Sequence, residues 1–600
     1  MNRILYPFDG KLLRKNRKKL RRELLADGSV RIKRRIAVLG GSTCDDIVLM
    51  LELFLLDSGI EPEFYISDYN KFYEDAVFGS EKLDSFSPDI VFIHTTSRNL
   101  TMLPDRTDES PEQINERLEA QFDLFKQVWT SIAQKFACPI IQNNFELPLC
   151  RQSGNYDGWG YYGKSAFISR LNVMMSDYAR KINGFYINDI SYLSACIGLE
   201  KWHDAEAWYL YKYAMSLDVI PDLAYSAACI IKSICGRNKK VLDLDLDNTL
   251  WGGVIGDDGQ EGIEIGHETA VGQSFTEFQS FVKEYKNYGV LLAVCSKNDD
   301  ENALLGLNHP DCILKPDDFA SIKANWDSKD RNIESAAEEL NLLTESFVFI
   351  DDNPAECEII KAQLPETAVI NLTSVQEAMY RLSRSGYFEI TSLSADDLKR
   401  SEMYAANAKR AAVRKRYSDY SEYLLSLEMR AEISDFTPLS LGRITQLTNK
   451  SNQFNLTTRR YTEKEMEEIA ESDTHIRLCG RLSDKFGDNG IVSVVIGRCE
   501  GDTLHIELWL MSCRVLKRGM ELAMLDSLAE KCRERGIKRI IGYYFKTAKN
   551  NMVSELFGSF GFRLDEKSDN GDSVWSLDLD GYKNKNKSIE VRTGEKNEQK

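Results

Sequence analysis

Two aspartates that follow a short apolar segment are the residues of this sequence best suited to chemistry. Asp245 and Asp247 stand at the end of residues 240–247, and Thr249 completes an Asp-x-Asp-x-Thr pattern. Because side chains two positions apart on a strand project from the same side, one carboxylate can attack phosphorus while the other protonates the leaving group. Mg²⁺ prefers oxygen ligands and can take a carboxylate oxygen of Asp245 and the backbone carbonyl of Asp247. The pattern therefore predicts a Mg²⁺-dependent enzyme site for phosphoryl or acyl-phosphate groups.

A phosphoryl group in transfer also needs hydrogen-bond donors and positive charge around it, and later residues supply both. Ser296 ends a predicted strand and can donate its hydroxyl hydrogen to a phosphoryl oxygen. Lys329 stands at the start of a predicted helix, 22 residues before Asp351, and we expect it to neutralise charge. Lys297 and Lys323 are competing candidates for that role.

The third group of candidates consists of Asp351 and Asp352, which follow the predicted strand 346–350. Either can complete the metal shell, and the sequence leaves open which of them does so. Asp245 and Ser296 are 51 positions apart, and a glycine-rich loop and one helix fill most of that interval. We therefore predict a capless site, open to a bulky substrate or to one presented by another domain or protein.

The elements that must position these groups alternate regularly between strands and helices. Apolar runs that end in polar residues alternate with helical patterns over 35–236 and again over 237–390, which indicates two doubly wound domains in a multidomain α/β protein. In parallel sheets ligands bind beyond the carboxyl ends of the strands, where all the candidate residues fall. The other predicted segments are a basic N-terminal arm (1–34), a helical linker (391–426), a domain of mixed strands and helices (427–580) and a disordered tail (581–600).

Composition argues against several function classes. The 600 residues carry a net charge of −17, which disfavours nucleic acid as the main partner. The 13 cysteines include no Cys-x-x-Cys pair, so structural zinc and a disulfide framework are not expected. The sequence shows neither a long apolar run nor a signal-peptide pattern, and we expect a cytoplasmic protein with no membrane partner.

The four blocks that contain the candidate residues resemble motifs I to IV of the haloacid dehalogenase (HAD) superfamily. The resemblance implies an aspartate nucleophile, an aspartate acid/base, a phosphate-binding hydroxyl, a lysine and a Mg²⁺ ion held by acidic residues. On this match the catalytic residues are Asp245, Asp247, Thr249, Ser296 and Lys329, and the metal ligands are Asp245, Asp247, Asp351 and Asp352.

A longer match resembles the FkbH-like branch of that superfamily, subclass IIIC. It covers residues 245–259, 294–298, 325–326 and 349–354. Residues 39–43 resemble the leading SGNH-hydrolase-like domain of that branch. The trailing acetyltransferase-like (GNAT) domain is matched by residues 448–456, 512–515 and 547–550. The resemblance thus implies an SGNH-like doubly wound domain, a capless HAD-like Rossmannoid domain and a GNAT-like α+β domain.

Members of this branch are implicated in transferring the glyceryl group of 1,3-bisphosphoglycerate, with loss of phosphate, to an acyl carrier protein. The resemblance therefore implies a phosphatase/acyltransferase whose partners are a phosphorylated small molecule and the phosphopantetheine thiol of a carrier. The alternatives are a simple Mg²⁺-dependent phosphatase in polyketide or polysaccharide biosynthesis and a non-catalytic scaffold that binds a carrier.

A thioester route requires a thiol from the enzyme or from the carrier. Cys295, directly before Ser296, is the best-placed enzyme thiol, and Cys513 is a second candidate. A structural role for Cys295 in the core is the competing interpretation.

The segment 514–519 falls where a GNAT fold keeps its phosphate-binding loop. The predicted ligands of a coenzyme A or pantetheine phosphate are Arg514, Lys517, Arg518 and Gly519. Lys517 stands at the first glycine position of that loop, which makes close approach of the backbone harder. We therefore expect binding of a phosphopantetheine arm but not acetyl-CoA chemistry, and an ordinary strand-to-helix turn is the competing interpretation.

Two further features lie in the flanking domains. Ser42 stands where an SGNH hydrolase keeps its nucleophile and Asn99 could donate to an oxyanion, but the late histidine, His203, lacks the expected Asp-x-x-His arrangement. We therefore predict a degenerate docking or substrate-positioning domain. Arg459 and Arg460 form a basic patch that could receive an acidic carrier protein, or a solvated loop.

Overall fold

The computed structural model describes residues 4–393, 398–414, 416–451, 453–547 and 549–593. The chain forms two compact units, Met1–Arg237 and Asn238–Lys600. The second unit holds two separate sheets, which define a second and a third domain.

A parallel five-stranded sheet in the order β2-β1-β3-β4-β5 forms the centre of the first unit. Its strands are β1 (Ile32–Gly40), β2 (Ile60–Ile66), β3 (Ile90–His94), β4 (Ile140–Asn143) and β5 (Phe185–Asn188). Its helices are α1 (Gly10–Ala26), α2 (Asp45–Asp57), α3 (Glu81–Phe86), α4 (Pro111–Phe136), α5 (Lys164–Ala179), α6 (Ile190–Ile197), α7 (Leu199–Trp202), α8 (Ala205–Tyr211) and α9 (Ile220–Ile234). Apolar cores lie on both faces, so residues 36–40 of β1 are all buried.

The predicted N-terminal arm is part of this first unit. Helix α1 buries Leu13 and Leu24 in the core that it shares with α2 and α9. Its basic side chains pair with acidic residues of the same unit, for example Arg17 with Asp46 at 2.8 Å. Because this amphipathic helix covers apolar surface, the predicted boundary at residue 35 is wrong, and β1 already begins at Ile32.

The second domain has a parallel five-stranded sheet in the order β10-β9-β6-β7-β8. Its strands are β6 (Val241–Leu244), β7 (Leu291–Ser296), β8 (Phe319–Ala324), β9 (Phe347–Asp351) and β10 (Ala368–Asn371). Its helices are α10 (Ile255–Gly262), α11 (Ala270–Asn287), α12 (Asp300–Leu307), α13 (Lys329–Glu339), α14 (Pro354–Gln363) and α15 (Val375–Arg384).

The order of these strands places a switch in winding direction at the centre of the sheet. From β6 the chain builds outward through β7 and β8, then crosses back to add β9 and β10 on the other side. Such switch points leave a crevice at the carboxyl ends of the strands, where ligands bind. Within residues 238–393 only α10 and α11 lie between β6 and β7, so the site has no inserted lid domain there, as predicted.

The third domain contains a mixed eight-stranded sheet in the order β16-β17-β15-β14-β13-β12-β11-β18. Its strands are β11 (Met429–Ser434), β12 (His475–Asp484), β13 (Gly487–Glu500), β14 (Thr503–Met511), β15 (Arg539–Tyr544), β16 (Arg563–Lys567), β17 (Ser573–Asp578) and β18 (Ile589–Thr593). The helices of the linker and of this domain are α16 (Arg400–Arg414), α17 (Tyr420–Ser426), α18 (Pro438–Lys450), α19 (Glu463–Glu471), α20 (Met520–Glu534) and α21 (Leu556–Ser559).

The structure describes part of the predicted linker and part of the predicted tail. Residues 394–397 and 415 of the predicted linker, and 594–600 of the predicted tail, lie outside the described residues. The prediction of disorder is wrong for 589–593, because β18 pairs in parallel with β11 and buries Ile589. In the described part of the chain, no helix combines the length and the apolar character needed to cross a membrane.

Candidate active site

The carboxyl end of β6 delivers Asp245 to the crevice at the centre of the second-domain sheet. Leu242 and Leu244 anchor the strand in the apolar core, and the Asp245 amide donates to the Ile350 carbonyl of β9 at 3.0 Å. This bond continues the ladder one residue past the end of β6, so the Asp245 side chain has a fixed position. Burial raises the pKa of Asp245, with Lys329 opposing this effect and the Asp351 carboxylate adding to it.

Of the three candidate lysines, Lys329 is the one that lies beside Asp245. Its Nζ lies 2.8 Å from Asp245 Oδ1 and 2.6 Å from Asp351 Oδ2, and its side chain is buried. Burial lowers the pKa of Lys329, but the two carboxylates outweigh burial and hold the pKa above its ordinary value. The competing lysines are engaged elsewhere, Lys297 with Glu356 and Lys323 with Glu339.

Three carboxylates at the same edge could hold a metal ion. Asp245, Asp351 and Asp352 each offer one oxygen, and these oxygens all lie within 4.8 Å of one another. Burial and the neighbouring Asp351 charge raise the pKa of Asp352. A hard divalent cation such as Mg²⁺ suits an all-oxygen set of this kind, and it would offset the repulsion between the carboxylates. The side chain of Asp247 lies outside this cluster, which leaves its backbone carbonyl as the predicted ligand atom.

Asp247 is held by three donors that sequence analysis did not assign. Its Oδ1 accepts from the Trp251 indole at 2.9 Å and from the Ile255 amide at 3.0 Å, and its Oδ2 accepts from Asn298 Nδ2 at 3.0 Å. Burial raises the pKa of Asp247, which favours the protonated form that a general acid needs. Trp251 and Asn298 lay inside motifs singled out in the sequence, but their spacing alone did not show that they converge on one carboxyl.

The two hydroxyl residues of the predicted site are both buried beside it. Ser296 ends β7, next to β6, and its hydroxyl is among the groups that oppose the rise in the pKa of Asp245. Thr249 lies in the turn after β6, where its amide donates to the Leu246 carbonyl at 3.1 Å. Its Oγ1 is buried and has no hydrogen-bond partner among the described residues. Thr249 therefore closes the turn that contains Asp247, and Ser296 stands at the strand end, as predicted.

The structure argues against a nucleophilic role for Cys295. Since side chains alternate along β7, its thiol points into the apolar core under α13, away from the crevice, and the residue is 1% exposed. Its Sγ contacts the Lys329 carbonyl at 3.5 Å. Burial raises the pKa of this thiol well above its ordinary value, and the Asp243 carboxyl adds to the effect. Little thiolate therefore forms at neutral pH. The competing interpretation, a small core residue, fits this position.

Asp243 is a second acidic residue of β6, two positions before Asp245. It is fully buried, and neither carboxyl oxygen has a hydrogen-bond partner within the described part of the chain. Burial raises the pKa of Asp243 to about 8. This carboxyl is therefore largely neutral at pH 7, and we assign it a structural role next to the site.

The predicted phosphate loop of the third domain has a different arrangement from the one expected. Arg518 is buried and lies 3.4 Å from Asp484, and Arg514 points toward α16, where it contacts the Met403 thioether. Lys517 and Gly519 both adopt left-handed backbone conformations, with φ of 62° and 81°. Lys517 is the exposed cation at the surface of this turn.

Beside this loop, another segment of the third domain fills the gap between two diverging strands. Strands β14 and β15 pair in parallel only as far as Ile506 and Gly542 and then separate. Residues 454–456 lie in the gap, where the Leu456 amide donates to Trp509 and the Leu456 carbonyl accepts from Phe545, at 3.1 and 2.9 Å. The backbone groups that could otherwise bind the amides of a pantetheine arm are therefore already paired.

In the first unit, the structure gives the positions of Ser42, Asn99 and His203, the residues singled out by the predicted SGNH-like resemblance. Ser42 Oγ is buried and has no hydrogen-bond partner in the described residues, while Asn99 Nδ2 donates to the Gly41 carbonyl at 2.8 Å. The His203 ring contacts the Leu147 carbonyl at 3.2 Å. In the third domain, Arg459 of the predicted basic patch forms an ion pair with Glu507 at 3.2 Å, which offsets part of the positive charge of the patch.

Residues 35–232 match the model of the FkbH N-terminal domain. The chain is also similar to the N-terminal part of protein BF1531 from Bacteroides fragilis, which contains a phosphatase domain and was crystallised with Mg. The two share 28% identity with a TM-score of 0.57, over 63% of this chain and 99% of that one.

Other similarities fall on a shorter part of the chain. The ribosomal-protein-S18-alanine N-acetyltransferase of Escherichia coli matches with 14% identity and a TM-score of 0.20, over 28% of this chain and 97% of that one. A GNAT-family acetyltransferase from Streptococcus pneumoniae matches with 16% identity and a TM-score of 0.21, over 25% and 99%. These are similarities of fold. No curated protein matches the sequence.

Proposed function

We propose that the second domain is a Mg²⁺-dependent phosphatase that acts on a small phosphorylated molecule. One observation carries this proposal: Asp245 lies among a buried lysine and two further aspartates at the switch point of a parallel sheet. Asp247, two residues later, is oriented by Trp251 and Asn298. The similarity to BF1531, whose phosphatase domain was crystallised with Mg, supports the same assignment.

The roles of the residues follow from their positions. Asp245, Asp351 and Asp352 would hold Mg²⁺, which when bound would screen the negative charge of the phosphoryl oxygens. An oxygen of Asp245 forms a bond to phosphorus while the bond to the leaving oxygen breaks, and that oxygen takes the proton of Asp247. Asp247 then accepts a proton from the water that cleaves the aspartyl phosphate and releases inorganic phosphate.

Ser296 and Lys329 serve the phosphoryl group in both steps. The Ser296 hydroxyl donates to a phosphoryl oxygen, and the Lys329 ammonium offsets the charge that gathers around the reacting phosphorus. Because Lys329 is already fixed by two carboxylates, little reorganisation is required when the substrate binds.

The finer part of the proposal is that the substrate is an acyl phosphate such as 1,3-bisphosphoglycerate and that a carrier thiol accepts the acyl group. The thiol sulfur forms a bond to the acyl carbon, the bond from that carbon to the phosphate oxygen breaks, inorganic phosphate leaves and the thiol proton passes to solvent. The Asp245 site hydrolyses the remaining phosphate ester of the three-carbon unit, which leaves a glyceryl group on the carrier. The match of the first unit to the FkbH N-terminal domain and the open site support this version. The buried state of Cys295 favours the carrier thiol over an enzyme thiol as the acceptor.

One experiment separates transfer from simple hydrolysis. The protein is incubated with 1,3-bisphosphoglycerate, Mg²⁺ and a holo acyl carrier protein, and the carrier is weighed by intact mass spectrometry. A glyceryl mass shift on the carrier is expected, and phosphate release without a shift would leave the simple phosphatase. In the absence of carrier, Asp245→Asn is expected to abolish enzymatic phosphate release, and survival of that activity would contradict the site itself.

A further inference from the structure

A cavity lies between the second domain and the third domain, at the edge of the sheet opposite to the candidate active site. Its second-domain wall includes Lys240, directly before β6, and Leu291, the first residue of β7. The catalytic residues follow the other ends of the same strands, and a strand rises about 3.3 Å per residue. The cavity is therefore separated from the active site by the length of these strands.

The charges that line this cavity are unevenly distributed in a chain of net charge −17. Four cationic side chains line it, Lys240, Arg400, Arg443 and Arg514, against the single carboxylate of Glu345. That carboxylate already pairs with a lysine at 2.6 Å. Leucine, methionine and phenylalanine side chains form half of the remaining wall.

Arg514 is the residue whose state points to a ligand. It is 7% exposed, and its guanidinium donates to Ser512 Oγ at 3.1 Å and to the Met403 thioether. No carboxylate of the described residues lies within 4 Å of it, nor within 4 Å of Lys240. A buried arginine without a counter-charge is costly, because an ion removed from water needs a partner of opposite sign. An anion in the cavity would supply that partner.

We propose that this cavity is a second, non-catalytic binding site for a small amphipathic anion, a phosphate or carboxylate group that carries a short aliphatic chain. Arg514 and Lys240 bind the anionic head, and the apolar wall contacts the chain. A planar guanidinium suits two oxygens of a phosphate or carboxylate. Since residues of both domains and of α16 contact the bound anion, its binding stabilises the packing of the third domain against the second.

The test uses n-butylphosphonate, which cannot be hydrolysed, with the full-length protein in EDTA. Without a divalent cation the aspartates of the active site repel a phosphonate, so binding there does not interfere. Titration calorimetry is expected to show saturable binding that Arg514→Met weakens about tenfold or more. Because that substitution removes an uncompensated buried charge, it is expected to leave the melting temperature unchanged or raised.

The matched control is Lys517→Gln, which removes the exposed cation of the predicted phosphate loop. We expect this variant to bind n-butylphosphonate as the parent protein does, while Lys240→Met weakens binding. Inorganic phosphate is expected to bind more weakly than n-butylphosphonate because it has no aliphatic chain. The proposal is overturned if the parent shows no saturable binding, if Arg514→Met binds equally well, or if only Lys517→Gln loses binding. Equal affinity for inorganic phosphate would refute the role of the apolar wall.

Discussion

Two buried clusters in the second unit use charge in different ways. At the edge of the second-domain sheet one lysine, Lys329, serves an excess of aspartates. In the third domain one aspartate, Asp484, is bound by Arg410 through both carboxylate oxygens, at 2.7 and 2.8 Å, and lies near Arg518. The first cluster keeps a negative excess that a divalent cation would neutralise. The second cluster has no negative charge left over, so it serves to hold α16 against the third domain.

This difference separates a site from a support more reliably than residue type does. Buried aspartates and cations occur in both clusters, and both follow strand ends of a sheet. What distinguishes the catalytic cluster is a negative excess that the chain itself does not compensate, together with a position at the switch point of a parallel sheet. The cavity at Arg514 has the same property with the opposite sign.

The sharpest test of the comparison uses two aspartates of the same strand. Asp245→Asn is expected to lower kcat/KM by on the order of 10³-fold or more, since an amide oxygen is a poor nucleophile. Asp243→Asn is expected to retain activity within a few fold, because burial raises the pKa of Asp243 to about 8 and the group is already neutral. Steady-state phosphate release from a series of phosphomonoesters measures both variants. Equal losses would mean that Asp243 takes part in the chemistry.

A second pair of variants tests the lysine. Lys329→Met is expected to lower kcat by about 10²- to 10³-fold, because the phosphoryl group loses a buried positive charge. Lys323→Met removes a lysine from the neighbouring strand that pairs with Glu339 instead, and little change is expected. Circular dichroism verifies that both variants fold. If Lys323→Met were the inactive one, the assignment from the structure would be wrong.

The sequence could predict those features of this site that depend on residues close together in the chain. The residues at strand ends, such as Asp245 and Ser296, were predictable because a strand that ends in polar residues delivers them to the sheet edge. The direction of the Cys295 side chain was not, since a shift of one position along β7 moves a side chain to the other face of the sheet. The insertion of residues 454–456 between β14 and β15 was also missed, because it depends on contacts far apart in the sequence.

Asn298 offers a finer test, because in the described structure it donates a hydrogen bond to Asp247 and to none of the other predicted metal ligands. Asn298→Ala is expected to slow hydrolysis of alkyl phosphates about tenfold by releasing the orientation of the acid. Hydrolysis of p-nitrophenyl phosphate should change less, because nitrophenolate leaves without a proton. The ratio of the two rates is the measurement, and an equal loss on both substrates would indicate a general structural defect.

For the cluster around Asp484 we expect the opposite result, a loss of stability without a loss of activity. Arg410→Met breaks a buried ion pair with Asp484 and is expected to lower the free energy of unfolding by about 3 kcal/mol. Phosphatase kcat/KM should stay near the parental value at temperatures where the variant is folded. Denaturant unfolding and steady-state kinetics on the same sample measure both quantities. A loss of activity in fully folded protein would show that the two clusters are coupled.

The smallest effect is expected for Cys295→Ala. The thiol is buried in the core beneath α13 and its pKa is raised by burial, so it contributes packing and little thiolate. Phosphatase activity should stay within about twofold of the parent, because no reacting group is removed. The yield of glyceryl-loaded carrier should be equally insensitive, since the carrier supplies the acceptor thiol. Intact mass spectrometry of enzyme and carrier after reaction checks this, and a glyceryl adduct on the parent enzyme that disappears in Cys295→Ala would restore the cysteine to the mechanism.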